Sequence, residues 1–89
     1  MRPENQKMQA FLKSRGIDAT PKYISEGSMR GVWRLYKKNA TFTKEIESKL
    51  TEIGFTNYDG SPLDRYSGNG GTFQVFVKAS SEIIKAALA

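Results

Sequence analysis

Two stretches of this chain end in the same way. Leu12-Lys13-Ser14-Arg15-Gly16-Ile17 and Leu50-Thr51-Glu52-Ile53-Gly54-Phe55 each lead an apolar helical stripe into a glycine and then an apolar residue. A glycine just past a helix accepts the left-handed backbone that side chains resist, and the apolar residue after it folds back on the last turn. Such an ending stops a helix and sends the chain into an extended segment. The shared pattern is supersecondary physics and too short to be a repeat.

The helices before these endings follow from spacing. Met8, Phe11 and Leu12 form a stripe in a helix predicted from Pro3 to Arg15, with Pro3 suited to the first turn. Ile46, Leu50 and Ile53 recur at i, i+4, i+7 in a second helix, Thr43 to Ile53. Thr43 is its expected N-cap, Phe42 a hydrophobic staple, and Glu45–Lys49 a favourable i, i+4 pair.

Between the helices, Lys22-Tyr23-Ile24 reads as a strand, Ser25 to Ser28 as a turn, and Met29 to Lys38 as a longer β-branched and aromatic strand. The two strands are expected to form an antiparallel hairpin. Asn57 to Pro62 is a turn cluster, Leu63 to Tyr66 a short strand or loop, and Ser67-Gly68-Asn69-Gly70-Gly71 a loop. Thr72 to Lys78 alternates as a strand, and Ser80 or Ser81 caps a last helix reaching Leu88.

The order α-β-β-α-(β)-β-α predicts an α+β fold in one small domain spanning residues 1–89. Its three- to four-stranded mixed sheet carries helices on one face. The strands at Val32–Lys37 and Phe73–Lys78, if neighbours, are expected to run parallel through a right-handed crossover.

Composition narrows the chemistry. The chain contains neither cysteine nor histidine, which removes disulfides, thiolate metal sites, Ser-His-Asp triads and histidine-based zinc sites. Glu45, Glu47, Glu52, Asp59 and Asp64 are the carboxylates a Mg²⁺-dependent nuclease would need. However, Lys44 and Lys49 interleave them as on an ordinary solvated helix. The expected protein is non-enzymatic and uses no cofactor. No apolar run approaches the ~20 residues of a membrane span, and Met1 to Lys7 leads into no signal-type apolar core, so a cytoplasmic location, or a nuclear one in a eukaryote, is expected.

The net charge is +5, but residues 1–38 hold nine Lys/Arg against three acids, and residues 39–89 five against six. That asymmetry points to an anionic partner, set against the plain alternative of solubility charge. If Trp33 and Leu35 face a core, alternation turns Arg34 and Tyr36 to the other face with Phe76 and Lys78, and Arg30 and Lys38 extend it. Arg30, Arg34, Tyr36, Lys37, Lys38, Phe76 and Lys78 are therefore the candidate nucleic-acid-binding residues. Sheets of the RNA-recognition-motif architecture bind in this manner, but the strand Gly71 to Val77 lacks that family's aromatic pattern and the element order differs. The competing reading covers Tyr36 and Phe76 with the terminal helix as simple core.

Other features carry weaker signals. The cations of the first helix, Arg2, Lys7, Lys13 and Arg15, suit phosphates but read equally as a solvated helix face. The glycine loop precedes a strand, unlike phosphate loops, which precede a helix. The alternative function is a small protein-interaction module or inhibitor, of the kind mobile elements and phages carry, acting on a larger protein or nucleoprotein complex. Its contacts would be Tyr23, Tyr58, Arg65, Tyr66, Gly68, Asn69 and Gly70. The expected partner is nucleic acid or an acidic protein or nucleoprotein surface, engaged by a monomer or by a dimer formed at a strand edge.

Overall fold

The computed structural model describes residues 2–38, 40, 43–63, 68–69 and 72–89, with positions 68, 69, 72 and 73 described as backbone. Helix α1 (Pro3–Ser14) ends as its sequence predicts. Gly16 adopts φ 79°. The Ile17 N–H reaches the Leu12 carbonyl at 2.9 Å and the Gly16 N–H the Lys13 carbonyl at 3.0 Å, the paired bonds of a Schellman ending. Helix α2 (Lys44–Ile53) starts at Thr43, whose hydroxyl oxygen accepts the Ile46 N–H at 3.2 Å. Helix α3 (Ser81–Leu88) starts at Ser80, which accepts the Ile83 N–H at 3.3 Å.

Five strands form one sheet: β1 (Thr20–Tyr23), β2 (Trp33–Lys38), β3 (Phe55–Asn57), β4 (Gly68–Asn69) and β5 (Thr72–Ala79). Their order is β1-β2-β5-β3, with β4 also paired to β5. Every pairing is antiparallel, so the sheet is not mixed. In particular β2 and β5 run antiparallel, against the expected crossover. The registers give the reason. The chain leaves β2 at Lys38, which pairs with Thr72, and α2 carries it to Phe55 opposite Ala79 at the other end. Strands β3 and β4, both antiparallel to β5, are thus the ones parallel in direction to β2. Gly68–Asn69, expected as loop, instead pairs with Phe73–Thr72 and reverses the chain, so β5 enters between β2 and β3.

Strand β2 is also shorter than expected. Residues 29–31 form a turn, in which the Gly31 N–H bonds the Ile24 carbonyl at 2.8 Å. Gly31 sits at φ 92°, which breaks the extended run before Trp33.

All three helices lie on one face. Met8 and Leu12 of α1, Leu50 of α2, and Ile83 and Ala87 of α3 join Trp33, Leu35, Phe55, Val75 and Val77 in one buried cluster. Gly54 marks the joint between α2 and α3. It adopts φ 124°, and a Cβ there would meet the Ser80 hydroxyl at 3.0 Å.

The outer edge of β1 is closed to further strands. The buried Asn5 side chain accepts the Tyr23 N–H at 3.0 Å. Pro21, two residues earlier on the same edge, has no N–H to offer. Both outward-facing backbone positions of β1 are thus withheld as donors to a further strand. No helix among the described residues is long and apolar enough to cross a membrane.

Candidate nucleic-acid interface

None of the described helices packs on the other face of the sheet. Directly paired strand residues point to the same side. Lys22–Arg34–Phe76 therefore forms one row across β1, β2 and β5, and Thr20–Tyr36–Gln74 the next. Lys38 lies beyond on β2, and Lys78 beside Thr56 at the other end. Tyr36 and Phe76 belong neither to the core cluster nor to the side chains packed around it, and both are half-buried. Helix α3 does not cover them, because Ile83 and Ala87 place it on the opposite face.

The electrostatics of this face are one-sided. None of Lys22, Arg34, Lys38 and Lys78 is in an ion pair with a described residue. The ion pairs among the described residues, Arg2–Glu4, Asp18–Lys37, Lys44–Glu47 and Glu45–Lys49, lie outside its two rows. No carboxylate occupies a described position of its two rows. Acids stand at its margins: Glu26 in the β1–β2 turn, and Asp59 after β3, whose carboxyl also feels the Lys78 charge.

At the centre three side chains support one another. The Arg34 guanidinium lies over the Tyr36 ring, 4.4 Å from its centroid, and its Nε–H donates to the Gln74 side-chain oxygen Oε1 at 3.0 Å. One contact fixes the height of the guanidinium and the other its heading. A cleft of about 890 Å³ extends the face past β1, with Lys22, Arg34, Arg2 and Glu26 among its walls.

The structure brings together Arg34, Tyr36, Phe76, Lys38 and Lys78 of the predicted set, but not Arg30 or Lys37. Arg30 sits exposed in the turn before β2. Lys37 has the parity of Trp33 and Leu35, so it points to the helix side and donates a hydrogen bond to Asp18. That bond and the adjacent charge hold the Asp18 carboxyl below its ordinary value. Lys22, absent from the predicted set, completes the row through Arg34. The signal for it was the hairpin register: with Tyr23 opposite Trp33, Lys22 must stand opposite Arg34.

The alternative contact residues do not form one patch. Tyr23 packs on the core with its ring 5.0 Å from that of Trp33. Tyr58 is exposed in the turn after β3. Gly68 and Asn69 are the β4 residues, while Arg65, Tyr66 and Gly70 lie outside the described residues.

The carboxylates considered for metal chemistry are scattered among structural partners. Glu45 pairs with Lys49 at 3.7 Å, and Glu47 is buried with Lys44 at 3.2 Å. Asp59 accepts both the N–H and the hydroxyl of Ser61, which lowers its pKa and shapes a turn. Asp64 lies outside the described residues, and among the described residues no three metal-ligating side chains gather. Comparison of the chain with family models, with curated proteins and with solved structures returns no match.

Proposed function

We propose that this protein is a non-enzymatic nucleic-acid-binding module whose ligand lies on the open sheet face. The observation that carries the reading is the composition of that face. Two half-buried aromatic rings stand among four cations that lack described ion-pair partners, on the side the helices leave bare. Elsewhere the ion-paired cations Arg2, Lys37, Lys44 and Lys49 have carboxylates beside them, while Lys7, Lys13, Arg15, Arg30 and Lys85 also lack ion-pair partners among the described residues, so what sets this face apart is cations gathered around aromatic rings. A polyanion supplies the missing negative charge and releases its counterions on binding, so affinity falls steeply with salt. Aromatic surface among cations offers contact to bases as well as phosphates.

The test is fluorescence anisotropy with labelled oligonucleotides at two salt concentrations. The expected result is salt-sensitive binding that weakens in both Arg34→Ala and Tyr36→Ala. Absence of binding even at low salt would remove this reading and leave an acidic protein surface as the partner to seek by pull-down.

A further inference from the structure

Resting on that reading, we infer that the ligand is single-stranded and that Arg34 is a platform on which one of its bases stacks, with Phe76 as a second platform beside it. The inference begins with the Tyr36 ring. One of its faces is already taken by the Arg34 guanidinium at 4.4 Å. A base arriving from that side therefore meets a flat cation backed by an aromatic ring. A guanidinium is planar and weakly hydrated, and it stacks on π-systems in a way an ammonium does not. The Gln74 hydrogen bond to Nε fixes the heading of that plane before any ligand arrives. Phe76 stands directly across from Arg34 in the β2–β5 register, so the two platforms are immediate neighbours.

Strandedness follows from the same geometry. A duplex keeps its base faces inside the stack and shows the protein only groove edges and phosphates. Helices α1, α2 and α3 pack on the covered side, so none projects from this face to enter a groove. Half-buried rings level with a sheet are useful to bases that are already unstacked. Lys38 and Lys78 lie outside the central rows, beyond the platforms at either end, where they meet the backbone of a strand laid across them.

The test separates the plane of Arg34 from its charge. Single-stranded and duplex oligonucleotides of one sequence are titrated into the intact chain at several salt concentrations, with Arg34→Lys and Phe76→Leu alongside. Arg34→Lys retains the charge and Phe76→Leu retains apolar bulk, and far-UV circular dichroism confirms that both fold. The expected result is preference for the single strand and a loss of about 5- to 150-fold in affinity for each variant, as for one stacked base. The salt slope of Arg34→Lys stays at the wild-type value, whereas Lys38→Ala and Lys78→Ala each lower it by about 0.7. Wild-type affinity in Arg34→Lys, or equal binding of duplex, would overturn the inference while leaving a nucleic-acid module in place. Binding of neither oligonucleotide would overturn both.

Discussion

The two faces of this sheet are made by the same alternating strands, and they solve opposite problems. On the covered face, Trp33, Leu35, Val75 and Val77 meet side chains from all three helices and are almost wholly removed from water. On the open face, Arg34 meets Tyr36 and Gln74, and all three, with Phe76, remain in partial contact with solvent. Two neighbouring lysines of β2 show the same division. On the covered side Lys37 is neutralised by Asp18, while one residue along the strand Lys38 faces the other way without an ion-pair partner among the described residues. Apolar burial supplies most of the folding free energy, so the covered face holds the fold together. The open face is thereby released from that task and can keep unpaired charge for a ligand.

The largest test of this division pairs a residue from each face. Trp33→Ala should cost about 3–5 kcal/mol of unfolding free energy, because it empties the centre of the core. Phe76→Ala should cost about 1 kcal/mol or less, the range of strand preference at a solvated site, while weakening nucleic-acid binding. Urea denaturation of both variants decides the point, and comparable losses would mean that the faces are not distinct.

Gly54 sharpens the account of the covered side. Its φ of 124° is strained for any side chain, and a Cβ would also press on the Ser80 hydroxyl at 3.0 Å. Gly54→Ala should therefore lose clearly more than about 1 kcal/mol. Gly27→Ala, at φ 84° with open space around it, should suffer the backbone strain alone. Thermal unfolding of the two variants separates strain from contact.

Asn5 guards the edge where the faces meet. Asn5→Ala leaves the Tyr23 N–H without its acceptor and should cost about 1–2 kcal/mol. It also opens one outward N–H of the β1 edge, which Pro21 still interrupts, so analytical ultracentrifugation should show at most a small rise in self-association over the wild type. The smallest effect concerns the Asp18–Lys37 pair. The folded pKa of Asp18 lies below its ordinary 3.8, so its contribution is present above that value and is lost as pH falls through the folded pKa. Asp18→Asn should flatten the acid limb of a stability–pH curve slightly, because both partners are solvent-exposed.

Much of the covered face was legible in the residues. The Gly16 ending, the Thr43 cap and the Thr72–Lys78 strand depend on local chemistry, and the structure follows them. The alternation that turns Trp33 away from Tyr36 was equally plain. What escaped depends on pairing. Gly68–Asn69 has no strand signature of its own; only its partner β5 makes it a strand, and without that pairing the direction of β5 is not legible. Lys37 was grouped with Lys38 by charge, although adjacent strand residues oppose each other. Lys22 needed the hairpin register before it could be placed. Glu47 sits in a charge pattern that resembles a solvated helix, yet it is buried.

The most direct test of the central claim is a nuclear magnetic resonance titration of the labelled protein with a single-stranded oligonucleotide, because it reports on both faces at once. The account predicts shifts at the Arg34 Nε–H, the Gln74 side-chain amide and the rings of Tyr36 and Phe76, with Met8, Leu50 and Ile83 unmoved. Shifts centred on the helices, with Arg34, Tyr36 and Phe76 unchanged, would contradict it.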